Sequence, residues 1–175
     1  VLRWNFIQWL GWVAASASLI FFLHTGLYGL NSYAGSISDD IRLEMTEYTL
    51  SELENATTYF RDEANKLAAQ VDRTPDGDVR YPDFQTLAQQ AGEGFDILVY
   101  DKKFPVFAGS KIPVKELGWA DMYTSMGITG FTCFLTGEAA VNPQIPAQSL
   151  PFTMAHEMAH RLCVAREDEA NFAAY

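Results

Sequence analysis

Apolar side chains dominate the start of the chain. No Asp, Glu, Lys or Arg occurs from residue 4 to residue 38, and the stretch 6–30 is long enough to cross a hydrocarbon layer of about 30 Å as a helix. Aromatic residues flank it as in interfacial belts, with Trp4, Trp9 and Trp12 at one end and Tyr28 and Tyr33 at the other. The pattern predicts a transmembrane helix, with residues 1–35 as the membrane segment and its flank. A buried helix of a soluble protein is the alternative.

The charges on either side of this segment predict its orientation. Arg3 precedes it, whereas Asp39 and Asp40 follow it. Because basic residues favour the cytoplasmic side, we expect the N-terminus inside and the rest of the chain on the extracytoplasmic side. The expected location is therefore the membrane, with lipid contacting the N-terminal helix.

The stretch 39–71 repeats apolar residues at steps of three and four, the period of an amphipathic helix. The stripe consists of Leu43, Thr46, Leu50, Leu53, Thr57, Phe60, Ala64, Leu67 and Val71. Two capping boxes, Thr49-x-x-Glu52 and Ser51-x-x-Glu54, predict two helices that meet close to Thr49. We expect the stripe to pack under the C-terminal domain, and a coiled-coil seam is the alternative use.

The middle of the chain predicts short helices and strands. The expected elements are a helix from Asp83 to about Ala91, a strand over 95–100, a short helix within 116–126, and strands over 128–135 and 137–142. The fold class predicted is α+β, in which a transmembrane helix is followed by a helix-rich domain with a small sheet over residues 36–175. The chain stops inside a predicted helix, so we expect the domain to continue past Tyr175.

The strongest chemical signal is the sequence His156-Glu157-Met158-Ala159-His160. On a helix, residues four apart lie one above the other on the same face, so the two imidazoles can occupy two corners of a zinc tetrahedron. Glu157 can reach a water on the same metal and act as general base. Ser149 before Pro151 is the expected N-cap of this helix. An ordinary amphipathic helix with two satisfied histidines is the alternative.

A catalytic zinc needs a third protein ligand, and the acidic run downstream supplies candidates. Glu167 is the favoured ligand, and Glu169 is the alternate one, because the two point to different faces of a helix and only one can face the zinc. Asn171, one turn after Glu167, is expected to hydrogen-bond a ligand histidine from behind.

These motifs resemble known families. His-Glu-x-x-His followed by Glu-x-x-x-Asn is similar to the zinc metallopeptidases with a glutamate ligand, thermolysin-like in the broad sense. More closely, the segments 136–142, 156–160 and 165–172 resemble a family of bacterial membrane-anchored proteins catalogued only as a domain of unknown function. The resemblance implies a zincin-like domain. That family usually has glycine at the position of Cys163, so we expect the turn there to be built differently.

The resemblance also implies a place for the substrate. In such peptidases an edge strand just upstream of the zinc helix pairs with the extended substrate backbone. The expected substrate-binding strand comprises Gly137, Glu138, Ala139, Ala140, Val141 and Asn142. A plain internal hairpin strand is the alternative.

The predicted function is that of a membrane-anchored zinc-dependent metallopeptidase acting on a peptide or protein substrate, with Zn²⁺ as cofactor and Glu157 as base. The oxyanion donor is left open among Tyr123, Tyr175, Arg161, Arg166 and residues beyond Tyr175. One rival is a metal-dependent hydrolase of another substrate. Another is a membrane-tethered sensor or binding module whose structural zinc takes Cys163 as fourth ligand.

Composition limits the partners. The 175 residues include 12 basic and 22 acidic ones, which gives a net charge of −10 and argues against nucleic acid. The two cysteines, Cys133 and Cys163, do not make a disulfide framework, although the fold could bring them together.

Overall fold

A computed structural model describes residues 5–27, 29–33, 35–44, 46–101, 104–109, 111–133 and 135–175. The α-helices there are α1 (Phe6–Leu27), α2 (Ile37–Asp40), α3 (Leu50–Ala68), α4 (Phe84–Asp96), α5 (Ala120–Ser125), α6 (Leu150–Arg161) and α7 (Glu167–Ala174). The strands are β1 (Lys115–Glu116), β2 (Gly130–Cys133) and β3 (Glu138–Val141). The predicted α+β class with an N-terminal helix is confirmed.

Helix α1 is apolar along its whole length. None of its residues is buried against the rest of the described chain, and it is long and apolar enough to cross a membrane. It ends at Leu27, slightly earlier than the predicted span. Arg3, Trp4 and Tyr28, which contribute to the predicted orientation and aromatic belts, lie outside the described residues.

The sheet has the strand order β1-β3-β2. Strand β2 pairs with β3 in antiparallel register, with Phe131 opposite Ala140 and Cys133 opposite Glu138. Strand β1 pairs with β3 in parallel register, with Glu116 opposite Val141. Among the described residues, β3 is therefore the central strand, and β2 is an edge strand.

Helix α6 is the centre of the core. It packs against α4, α7, β2 and β3, and its residues Met154, Met158 and Ala159 are completely buried. The buried core also includes Ile37, Leu87, Ala88, Phe95, Phe107, Val114, Ala139, Val141, Leu150, Val164 and Ala170. Since a packed helix resists displacement, side chains on α6 are held in fixed positions. Ser149 occupies the N-cap position as predicted and Pro151 lies in the first turn, but the Ser149 side chain makes no cap hydrogen bond.

The amphipathic stripe does not pack under the domain as predicted. The described residues 41–44 and 46–49 are not α-helical, and α3 begins separately after Thr49, whose capping box with Glu52 is confirmed. No residue of α3 is buried. Its Phe60 ring contacts Tyr175 edge-on at 5.4 Å between centroids. The space against α6 is filled instead by α4.

The predicted strand at residues 95–100 is also wrong. Helix α4 begins after its predicted cap, Asp83, but runs through the two glycines to Asp96 and continues as a π-helix over Ile97–Asp101. A Cβ on Gly92 would lie 3.2 Å from the Lys111 carbonyl oxygen and 3.7 Å from Met158 Cε. Gly92 therefore serves close packing within the helix and does not end it.

Candidate metal centre

Helix α6 presents its two histidines to one point. The Nε2 atoms of His156 and His160 lie 3.0 Å apart, with the rings nearly perpendicular. Residues four apart on a helix can converge in this way because their Cβ atoms lie on one face. Both side chains are largely buried.

Helix α7 brings a carboxylate to the same point. Glu167 Oε2 lies 3.2 Å from His156 Nε2, and Glu167 Oε1 lies 3.4 Å from His160 Nε2. Glu167 is the first residue of α7, so the turn after α6 decides whether its side chain reaches the histidines. The three groups form a cluster with ligand atoms within 4.8 Å of one another.

That turn is a Schellman motif, and it also serves the site. The Val164 N–H donates to the Ala159 carbonyl at 3.1 Å, and the Cys163 N–H donates to the His160 carbonyl at 3.0 Å. Cys163 adopts the left-handed conformation, with φ of 71°. The expectation that a non-glycine residue changes this turn is therefore wrong, because the chain accepts a left-handed cysteine there.

In each histidine the outer nitrogen, Nδ1, which faces away from Glu167, is held by a hydrogen bond. His156 Nδ1 lies 3.0 Å from Asn171 Oδ1, and His160 Nδ1 lies 2.7 Å from the Val164 carbonyl oxygen. Both partners are acceptors, so each Nδ1 must carry the proton. In the neutral rings the two Nε2 atoms are then unprotonated and turn their lone pairs towards Glu167, the state in which imidazole binds a metal.

The separations suit zinc. With bonds of about 2.0–2.1 Å to nitrogen and oxygen, the edges of a zinc tetrahedron are about 3.3–3.4 Å. The two Nε2 atoms lie 3.0 Å apart, and each lies close to that distance from one oxygen of the Glu167 carboxylate, 3.2 Å from Oε2 for His156 and 3.4 Å from Oε1 for His160. Burial lowers the pKa of His156, and the neighbouring His160 lowers it further, so the neutral ring is favoured. Two imidazoles and one carboxylate are the donor set of a catalytic zinc, with a fourth corner left open.

Glu157 is held beside this cluster by strand β2. Its side chain is almost fully buried, at 5% exposure. The Thr132 hydroxyl lies 2.9 Å from Glu157 Oε2, to which it can donate, and 3.0 Å from the Glu157 carbonyl oxygen. A Cβ on Gly130 would lie 2.9 Å from Glu157 Cγ and Oε1, so glycine is needed for this approach. Burial raises the pKa of Glu157, which outweighs the lowering by Thr132.

A cavity of about 380 Å³ opens over these groups. Its lining comprises His24, Thr129, Gly130, Phe131, Thr132, His156, Glu157, His160 and Glu167. One wall is the edge strand β2, and another is the last part of the apolar helix α1. The cavity is large enough for a short stretch of extended peptide.

The family described as DUF3810, protein of unknown function, matches residues 2–175. The chain belongs to the DUF3810 family. The match includes both the apolar helix and the histidine cluster, so the two are parts of one family unit. No curated protein and no solved structure matches the chain significantly. The resemblance to a family of unknown function is confirmed, and membership among zinc peptidases stays a prediction.

In this DUF3810 chain, Glu169 lies away from the cluster. Its Oε1 accepts hydrogen bonds from Ser36 Oγ at 2.5 Å and from the Ile37 N–H at 3.0 Å. Glu169 thus ties α7 to the start of α2, and the geometry favours Glu167 as the ligand. Cys163 is exposed and does not belong to the cluster found among the described residues. Cys133 and Cys163 are thiols and are not joined by a disulfide.

Two other predictions about the site need correction. The residues proposed as oxyanion donors do not line the cavity. These residues are Tyr123, Tyr175, Arg161 and Arg166. The predicted substrate strand, residues 137–142, is not an edge strand, because β3 pairs with a neighbour on each side. Ala139, Val141 and Asn142 are fully buried. The alternative of an internal hairpin strand is correct.

Sequence reasoning missed four residues around the cluster. Gly130 was signalled by its place inside a strand of aromatic and branched residues, where glycine often marks a close approach. Thr132 could have been found by the alternation that puts it on the same face as Gly130. Val164 acts through its backbone, and His24 approaches from a distant part of the chain, so neither carried a local signal.

Proposed function

We propose that this DUF3810 protein is a membrane-anchored zinc metallopeptidase. The observation that carries the proposal is the convergence of His156 Nε2, His160 Nε2 and the Glu167 carboxylate, with both outer nitrogens held by acceptors. Zinc bound there would act as a Lewis acid and lower the pKa of water bound to it. Metal binding, the enzymatic activity and the peptide substrate are all part of this proposal.

Glu157 is the proposed general base. Burial raises the pKa of Glu157 towards neutral pH. A base with a pKa near the working pH is strong enough to accept a proton and able to release it. Thr132 holds Oε2, which leaves Oε1 to take the proton of an attacking water. Glu157 would then deliver that proton to the leaving amine.

Strand β2 is the proposed docking strand for the substrate. The Asn142 N–H donates to the Thr129 carbonyl, and the Gly137 N–H donates to the Cys133 carbonyl, so these two carbonyls face the β3 side. By the alternation of an antiparallel pair, the peptide groups of Gly130 and Thr132 point to the open edge. An extended peptide pairing there would lie along the cavity that Glu157 lines.

Three glutamate variants test the proposal. Glu157→Gln should abolish hydrolysis of a peptide library while zinc content stays near one per chain. Glu167→Gln should lose zinc, and Glu169→Gln, the matched control on the same helix, should keep both zinc and activity. Hydrolysis by Glu157→Gln at the wild-type rate would show that Glu157 is not the base. Full zinc content in Glu167→Gln would show that Glu167 is not a zinc ligand.

The second candidate is a membrane-tethered sensor or binding module with a structural zinc. It requires a fourth protein ligand, and the nearest thiol by sequence, Cys163, lies outside the described cluster. Cys163→Ser separates the two: loss of zinc would favour the structural site, whereas unchanged zinc and hydrolysis favour the peptidase. We propose that the catalytic part lies on the extracytoplasmic side of the membrane, as the flanking charges predict.

A further inference from the structure

The helix proposed to cross the membrane forms part of the wall of the cavity over the cluster of His156, His160 and Glu167. His24, which belongs to α1, lines the same cavity as His156, His160, Glu157 and Glu167. No other described residue of α1 lines it. Because His24 lines this cavity, the height of the site is related to the position of α1.

The position of His24 along α1 gives that height. Helix α1 has 22 residues, so it is about 33 Å long, close to the thickness of a hydrocarbon layer of about 30 Å. His24 lies three residues before Leu27, which corresponds to about 4.5 Å of helix axis. When α1 spans the bilayer, the cavity therefore lies within about one helical turn of the boundary at which the hydrocarbon meets the lipid headgroups.

The cavity wall agrees with that depth. Phe131, on the edge strand β2, lines the cavity and is 39% exposed. Aromatic side chains are enriched where hydrocarbon meets headgroups. An extended chain pairing with β2 would therefore lie against the membrane surface.

We propose that the substrate is the membrane-adjacent segment of another membrane-anchored polypeptide, cleaved within a few residues of the lipid. This inference rests on the proposed peptidase function. A segment of this kind is already held at the height of the site, whereas a loop far above the surface cannot reach a cavity at headgroup depth.

The height of the site above the membrane can be measured with a peptide substrate attached to the lipid through tethers of different lengths. The full chain is reconstituted in phosphatidylcholine vesicles, and a fluorogenic peptide that it cleaves in solution is attached to both leaflets through a lipid anchor. Spacers of about 2, 8 and 32 Gly-Ser residues have root-mean-square lengths of about 8, 16 and 31 Å. A site at headgroup depth should cleave the peptide on the shortest tether within about threefold of the best one, because no reach is required.

A raised variant provides the matched comparison. A helical spacer of four Glu-Ala-Ala-Ala-Lys repeats, about 30 Å long, is inserted before Gly35, where an added side chain meets no neighbouring atom. The variant should lose cleavage of the shortest tether by at least about tenfold and keep cleavage of the longest one. It should still cleave the free peptide, because the cluster and Glu157 lie after the insertion.

The outcomes separate the two proposals. Failure of the wild-type chain to cleave any free peptide would overturn the peptidase function itself. Cleavage of free peptide together with cleavage of only the longest tether would leave that function standing and overturn the membrane-adjacent substrate. Equal cleavage of the shortest tether by the raised variant would also overturn it, since the height would then not be set by α1.

Discussion

Asn171 is the residue at which the orientation of a ligand histidine can be tested most directly. Its Oδ1 lies 3.0 Å from His156 Nδ1, and the His156 side chain is only 15% exposed. Asn171→Leu keeps a side chain of similar size but removes the acceptor. The Nδ1 proton then has no partner there and can move to Nε2, the atom that we propose binds zinc.

The expected loss follows from that single hydrogen bond. Removal of a hydrogen-bonding partner behind a metal ligand lowers affinity by about 10- to 100-fold, or about 1.4–2.7 kcal/mol. Leaving a buried donor unsatisfied costs about 1–3 kcal/mol, which is the same range. Asn171→Ala should lose less than Asn171→Leu, because Asn171 is exposed and water can enter the space to accept the proton. Asn171→Asp should bind zinc at least as well as wild type.

The assay is zinc competition against a chromophoric chelator at pH 7.5, using metal-stripped full-length protein in detergent. Asp168→Asn on the same helix is the control, since its carboxylate pairs with Arg166 and does not contact the histidines. Circular dichroism checks that each variant is folded. A folded Asn171→Leu protein with wild-type zinc affinity would refute the view that this hydrogen bond sets the tautomer of His156.

Three further predictions concern residues around the cluster. Gly130→Ala should lower the rate of hydrolysis about 10- to 100-fold with zinc content unchanged, because its Cβ displaces Glu157; Gly118→Ala, which meets no atom within 4 Å, should match wild type. Glu169→Ala should lower the free energy of unfolding in urea by about 1–2 kcal/mol without changing zinc affinity, because two hydrogen bonds to the start of α2 are lost. In metal-stripped protein the pKa of Glu157 is higher in the folded state than in the unfolded state, where it has the ordinary carboxyl value. The ionisation of Glu157 therefore lowers the free energy of unfolding as the pH rises from the ordinary carboxyl pKa through the pKa of the folded state. Glu157→Gln should therefore be more stable than wild type at pH 8 and lose that advantage at pH 4; equal differences at both pH values would contradict the assigned shift.

The parts of the site that the sequence predicted are those fixed by local geometry. His156 and His160 converge because of helical spacing alone, and Asn171 follows Glu167 by one turn. The choice between Glu167 and Glu169 depended on a contact between α7 and residues 36–37, which are far apart in sequence. Such contacts leave no periodic signal, so both carboxylates remained candidates until the fold was known.

The errors in the fold have the same origin. Residues 137–142 were expected at an edge because of the resemblance to zinc peptidases. Strand β1, the partner that makes β3 central, has only two residues and gives no recognisable strand pattern, so the sequence did not reveal it. The run 95–100 has the branched and aromatic residues of a strand, but α4 continues into it because Gly92 lets the helix pack closely on α6. In the second case tertiary packing overrode a local preference, whereas in the first the pairing partner left no signal in the sequence.

The chemistry of the cluster bears on what occupies it. Asn171 and the Val164 carbonyl oblige both rings to carry their protons on the outer nitrogens, so two lone pairs and a carboxylate face one another across about 3 Å. A proton shared between the rings could relieve this repulsion, but burial and the neighbouring imidazole lower the pKa of His156 and disfavour that proton at neutral pH. A divalent cation would accept electron pairs from both rings and the carboxylate at once, without requiring either ring to change tautomer. Under the proposed function, the hydrogen bonds behind the histidines would favour a metal over a proton, and this is the physical argument for proposing zinc there.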